Sequence, residues 1–410
     1  MTVVAAMAAV KSETRAADRN RRSRRFRALV SRLLIAVFPL VFLPVVFLSI
    51  SVLLPMFALA QANPAGFDDL VLRATAAREQ NDVQQAIELY GQAVQLKPDW
   101  PDGWWFLGSL QYASDSYAAA RDALSHFIAL TPEGGPAFAL RGLCEFETGE
   151  YTQSLKDIER GLSLGAANQP RNEKILRYHE ALLLTRAGNF EAALQKFALF
   201  GGEKVPNPEL LVGIGLAGLR TPLLPKELRA DQQDLYTTAG NAAFQFMSGN
   251  QKAAQDAFQD LFQRFPTTAN AHYLYGYLLF PTDPDQAIVE FRRELEVSPS
   301  NAAAQLMVAW DSLMRNNYPE ALAYSQKALA EDPTLAVGQL VLGRAMVETG
   351  SVKDGLELLE KELQVDPNNL ETHLALAKAY SKLGRKEDAR RERLRCLEIE
   401  KSENAPNARP

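Results

Sequence analysis

The chain has 410 residues, 47% of them apolar and 23% charged, with a formal net charge of −5. That length exceeds one ordinary core unless the chain is a repeat array, and that composition excludes wholesale disorder. The charge is also segregated: from residue 61 onward 35 basic residues face 47 acidic ones, a net of −12, and an acidic body excludes a nucleic-acid surface.

The first segment, residues 1–32, is the exception. It holds nine basic residues, with Arg21, Arg22, Arg24, Arg25 and Arg27 clustered, against Glu13 and Asp18. Residues 33–60 then carry no charge and are mostly apolar, interrupted by Pro39, Pro44 and Pro55. About 20 apolar residues span a bilayer as a helix, and an Arg-rich flank stays on the cytoplasmic side. The segment therefore reads as a basic cytoplasmic stretch followed by a transmembrane anchor or the core of a signal peptide. The length of the run favours a retained anchor. The small-x-small sites Ala58-Leu59-Ala60 and Ala60-Gln61-Ala62, just after Pro55, favour cleavage. The first alternative gives a single-pass membrane protein with its body outside the cytoplasm. The second gives a periplasmic or secreted body.

From about Phe67 the pattern turns helical and repeats. The second helix of the first hairpin carries Ala86, Tyr90 and Ala93 and stops at Pro98. The next hairpin holds Trp104, Leu107, Gly108 and Tyr112, then Ala120, Leu124 and Phe127, and stops at Pro132. Pro98 and Pro132 are 34 residues apart, and Pro266, Pro299, Pro333 and Pro367 continue the period. A second ladder runs through the turns. Gly149, Gly188, Gly249, Gly350 and Gly384 each precede by five residues a small residue: Ser154, Ala193, Ala254, Gly355 and Ala389. A third runs through the first helices at Gly108, Gly142, Ala181, Ala242, Gly276, Ala309, Gly343 and Ala377. Small residues let two helix backbones approach, and the bulky residue four places after the second-ladder position fills the groove between them. Residues 67–200 read as four hairpins. Residues 201–234, with Pro206, Pro208, Pro222 and Pro225, read as a degenerate repeat and a bend. Residues 235–400 read as five more hairpins, and 401–410 as a disordered tail.

The 34-residue helix pair, with its order of Trp, Leu, Gly, Tyr, Ala, Phe, Ala and Pro, resembles the tetratricopeptide repeat family over nearly all of residues 67–400. The resemblance implies an all-α protein, a right-handed α-solenoid of helix–turn–helix hairpins, here preceded by one N-terminal hydrophobic helix. It also implies a concave groove, lined by first helices, that takes a peptide or helix of a protein partner. In the expected register that groove includes Trp105, Tyr112, Phe146, Tyr178, Tyr273, Tyr277, Trp310 and Arg344, with Ser109, Leu143, Leu306, Leu340 and Lys378 beside them. Some family members grip a terminal carboxylate with Lys and Asn on the first helices. Val71, Thr75, Trp105 and Ser109 stand there instead, which removes that clamp.

Other motifs carry no chemistry. Gly213-Ile-Gly215-Leu-Ala-Gly218 matches a dinucleotide fingerprint but lacks the strand it requires. His126, His179, His272 and His373 fall on separate repeats without metal spacing, and Cys144 and Cys396 read as small buried hydrophobes. No catalytic, cofactor or metal site is expected. The expectation is a non-enzymatic scaffold for protein partners at the cell envelope, with an accessory subunit of a polysaccharide or cell-wall synthesis or export complex as the alternative. The membrane is met through residues 33–60, and nucleic acid is not a partner.

Overall fold

Each hairpin forms where the sequence stops one helix and starts the next. The computed structural model describes residues 66–168, 170–335 and 337–404, and these form nineteen α-helices with no strand among the described residues. They are α1 (Phe67–Glu79), α2 (Val83–Leu96), α3 (Pro101–Ala113), α4 (Tyr117–Leu130), α5 (Gly135–Thr148), α6 (Tyr151–Ser163), α7 (Pro170–Arg186), α8 (Phe190–Phe197), α9 (Pro208–Gly218) and α10 (Gln233–Met247). Next come α11 (Gln251–Arg264), α12 (Ala271–Leu279), α13 (Pro284–Val297), α14 (Ala302–Met314), α15 (Tyr318–Glu331), α16 (Gly338–Thr349), α17 (Val352–Val365), α18 (Leu370–Lys382) and α19 (Lys386–Asn404). Two compact units divide the chain between Leu183 and Leu184, within α7. That division falls earlier than the 201–234 stretch at which the sequence places a bend.

The turns follow from backbone sterics. Gly149 and Gly350 end α5 and α16 at φ 88° and 105°, a left-handed conformation that glycine adopts without a Cβ clash. Where the glycine ladder has gaps, Asn81, Asp115 and Asn316 take the same conformation at φ 60°, 59° and 61°. Short polar side chains tolerate it. Helix starts are capped by side-chain oxygens: Asp82 accepts from Gln85 N, Asp283 from Gln286 N, and Asn301 from Ala304 N.

Packing within each hairpin obeys the small-residue ladders. A Cβ built on Gly108 would lie 2.8 Å from Leu124 Cγ, and one on Gly276 would lie 2.8 Å from Phe291 Cε1. Tyr90, Leu124, Ile158, Phe197, Phe258, Phe291 and Leu359 are each no more than 1% exposed. Burying each such side chain contributes about 1.5–3 kcal/mol. In the second unit, α9 and α10 come still closer. A Cβ on Gly215 would meet the Tyr236 carbonyl oxygen at 1.9 Å, and one on Gly240 would meet the Leu211 carbonyl oxygen at 1.8 Å. The glycines of the dinucleotide-like motif thus serve helix-to-helix contact.

α19 runs on to Asn404, four residues into the segment expected to be a tail. Lys401 and Glu403 favour helix, and no glycine or proline intervenes before Pro406. The expected hydrophobic segment at 33–60 lies outside the described residues. Among the described residues no helix is long and apolar enough to cross a membrane.

Candidate functional site

The first helices of the hairpins carry the residues expected to meet a partner. In the first unit, Trp105 is half-buried with its ring 5.6 Å from that of Phe127. Tyr112 is half-buried and meets Tyr117 edge-on at 5.7 Å. Phe146 lies inside, only 7% exposed, between Tyr151 at 5.8 Å and His179 at 4.8 Å. Tyr178 is half-buried beside His179.

In the second unit, Tyr273 is 6% exposed and its hydroxyl donates to Glu191 Oε1 at 2.8 Å. Burial, with the Glu191 charge second, pushes its phenol well above the ordinary value. Arg220 pairs with the same Glu191 and stands 5.3 Å from the Tyr273 ring centre. Tyr277 is half-buried and stacks on Tyr273 at 6.4 Å. Trp310 packs against two successive core clusters, one with Leu306, Ala309 and Leu313 and the other with Leu340, Leu359 and Leu376.

Phe146 and Tyr273 therefore occupy interior positions, and Trp310 is a seam between repeats. Ser109, Leu143, Leu306 and Leu340 are buried as well, at 7%, 8%, 7% and 1%. They correct the expected groove. One residue along a helix turns a side chain by about 100°, so a small register offset moves a residue from the open face into the joint with the next helix.

Arg344 lines a cleft of about 220 Å³ among α14, α16 and α18 and the turn before α15. Its guanidinium donates to Glu371 Oε2 at 2.7 Å. On the other side, Glu348 is gripped by Lys378 and by Lys382 Nζ at 3.1 Å, while Lys382 also donates to the Val347 carbonyl oxygen at 2.7 Å. Burial opposes the charge on Glu348, yet hydrogen bonds from the two lysines hold its carboxyl below the usual range. Asn316 and Tyr318 also line the cleft, and Tyr318 donates to Asn316 Oδ1 at 2.6 Å. Leu313, Val347, Leu374 and Ala375 supply the apolar wall, with Leu374 46% exposed. The sequence reading names Arg344 and Lys378 but misses Glu348, Glu371, Asn316 and Tyr318. These come from three successive hairpins, and only the stacking of repeats brings them together. The chemistry on offer is recognition. Small-molecule sites usually enclose about 300–1,000 Å³, whereas a smaller open cleft suits one or two side chains of a polypeptide.

The other singled-out groups pack. His126 stacks on Trp104 at 4.2 Å, and His272 stacks on Phe262 at 4.0 Å. His272 and His373, at equivalent repeat positions, each place Nδ1 2.7 Å from a second-helix glutamate, Glu290 and Glu392. A further ladder joins neighbouring repeats. Trp104 Nε1 donates to the Pro98 carbonyl oxygen at 2.8 Å, and Gln305 Nε2 donates to that of Pro299 at 2.7 Å. His373 Nε2 lies 3.1 Å from that of Pro367. Among the described residues no group of His, Cys, Asp and Glu could hold a metal ion, and Cys144 and Cys396 are buried and free.

The stacked hairpins, with small-residue contacts inside each pair and exposed first-helix faces, define a helical-repeat protein. The family model of the tetratricopeptide repeat matches residues 71–135 in the first unit and 282–336 in the second, so the chain carries tetratricopeptide repeats in both units. No curated protein sequence matches the chain. Among solved structures it is similar to the crystal structure of MamA, at 18% identity over 40% of this chain and 95% of that one, with a TM-score of 0.35. It is similar to yeast Tom70 at 14% identity, over 82% of this chain and 76% of that one, with a TM-score of 0.31. A tetratricopeptide repeat protein from Parabacteroides merdae is 16% identical, over 68% and 98% of the two chains, with a TM-score of 0.30.

Proposed function

We propose that this chain is a non-enzymatic tetratricopeptide scaffold that binds a protein partner along its first-helix faces and works at the cell envelope. The observation that carries the binding reading is the cleft around Arg344, Glu348, Glu371 and Lys378. It combines an apolar wall with paired charges that a polypeptide can engage by exchanging ion-pair partners. Tyr277 in the same unit, and Trp105, Tyr112 and Tyr178 in the first unit, present half-buried aromatic edges, a residue type that often anchors interfaces. The envelope reading rests on the basic-then-apolar order of residues 1–60. Either alternative for that segment, anchor or signal peptide, carries the acidic body across the cytoplasmic membrane.

Crosslinking of the full chain in its native membrane, followed by affinity recovery, tests the reading. A stoichiometric partner should be recovered, and R344A/K378A should lower its yield severalfold. Recovery of no partner, or of one indifferent to R344A/K378A and to Trp105→Ala, contradicts it. N-terminal sequencing of the mature protein separates the anchor from the signal peptide, since a start at Gln61 or Asn63 ends the anchor reading.

A further inference from the structure

α19, the last helix among the described residues, leaves open a position that earlier repeats close. In the second helices α2, α11, α15 and α17, Val94, Phe262, Leu329 and Leu363 occupy one register position, and Leu397 follows Leu363 by the 34-residue period. Each earlier member packs under the next first helix. A Cβ on Gly103 would lie 2.8 Å from Val94 Cγ1, Phe262 stacks on His272, and a Cβ on Gly338 would lie 2.7 Å from Leu329 Cδ2. Leu363 packs into the cluster of Ala375 and Leu376. Among the described residues no helix follows to cover Leu397, which is 51% exposed. One turn before it, Leu394 is also 51% exposed, at a register position that Gln259, Arg292, Gln326 and Glu360 fill in other repeats. The outer face of the terminal helix is thus more apolar than its repeat position requires, opposite a buried face of Ala389, Glu392, Cys396 and Ile399.

We infer that a second copy of this chain docks on this face, its own α19 lying antiparallel across Leu394 and Leu397. The charge order along α19 favours that occupant. Arg391 and Arg393 precede the two leucines, and Glu398 and Glu400 follow them, all four exposed. A two-fold axis midway between Leu394 and Leu397 sets Leu394 beside Leu397 of the partner subunit. The same axis sets Arg393 opposite Glu400 of the partner subunit, and Arg391 opposite Glu398 of the partner subunit. An isologous contact of this kind is self-complementary and closed. Arg390 meets Lys401 of the partner subunit on the same axis. Their long stems let both heads reach solvent, which weakens the contact without blocking it.

Sedimentation of the full chain in detergent over a dilution series tests this. A monomer–dimer equilibrium is expected, and L394D/L397D should abolish the dimer while leaving the thermal unfolding curve in place, since both side chains already face solvent. Arg393→Glu alone should weaken association by about tenfold, and R393E/E400R should restore it. If L394D/L397D disturbs folding, the loss and rescue in the charge pair decide. A chain that stays monomeric throughout overturns the inference. So does a dimer that ignores these substitutions, as one held by residues 33–60 would, or a charge swap that fails to rescue.

Discussion

Arg141 of α5 closes a two-pronged ion pair on Asp157 of α6, with Nη2 donating to Oδ1 at 3.1 Å. The commitment of Arg141 to Asp157 isolates Glu145, one turn along α5. Glu145 is only 3% exposed, lies 3.9 Å from Arg141 Nε through Oε1, and has no hydrogen-bond partner on Oε2. Burial first, and the Asp157 charge second, raise its carboxyl to about 7, against the pull of Arg141.

The sign of the pH dependence follows. A carboxyl whose folded value lies above its unfolded value stays protonated in the fold while the unfolded chain ionises. Stability therefore falls as pH rises from the ordinary glutamate range to about 7 and levels off above it. Glu145→Gln removes that fall. Urea unfolding should show the variant more stable than wild type by roughly 1–3 kcal/mol at about pH 8, with the gap closing near about pH 4. A gap that does not change with pH would show that Glu145 does not titrate in this range.

Two glycine substitutions should differ in size. Gly108→Ala places its methyl 2.8 Å from Leu124 Cγ, the branch point of a side chain that can move. Gly215→Ala places its methyl 1.9 Å from the Tyr236 carbonyl oxygen, where only the backbone can yield. Denaturation should rank Gly215→Ala as the costlier change, at about 3 kcal/mol or more, and Gly108→Ala at about 1 kcal/mol. Gly108→Leu should cost roughly 1–3 kcal/mol. The reverse order would mean that α9 and α10 do not meet as described.

Trp310→Ala should act on stability. The indole joins two successive clusters, so its loss opens a cavity between repeats and should cost roughly 3 kcal/mol. Chemical denaturation of the variant checks this, and an unchanged midpoint would return Trp310 to the open face.

Arg344→Ala and Lys378→Ala should leave stability nearly intact. Glu371, the partner of Arg344, is 48% exposed, and Glu348, the more buried partner of Lys378, keeps its pair with Lys382 when Lys378 is removed; exposed ion pairs contribute about 0–1 kcal/mol. Thermal melts within a degree or two of wild type would let any loss of partner recovery be read as lost recognition. A large drop would instead make these pairs part of the scaffold.

Much of this molecule was legible in its sequence. The prolines at a 34-residue step, the turn glycines and the small first-helix residues set the hairpins and their repeat, because each reports a local demand: a helix stop, a left-handed turn, a close backbone approach. Asn81, Asp115 and Asn316 show the limit of that reading. They do the turn's work without being glycine, and only their backbone angles reveal it.

The tertiary structure decided which side chains face outward. Trp310 and Arg344 both fall on first helices, yet one fills a seam and the other lines a cleft. The cleft draws on hairpins whose residues lie about 30 apart in sequence and meet only through stacking, as in the pairing of Glu348 with Lys378. The outward turn of Leu397 was decided in the same way. Its spacing makes it one more member of a buried ladder, and its exposure follows from the absence, among the described residues, of a following helix to cover it.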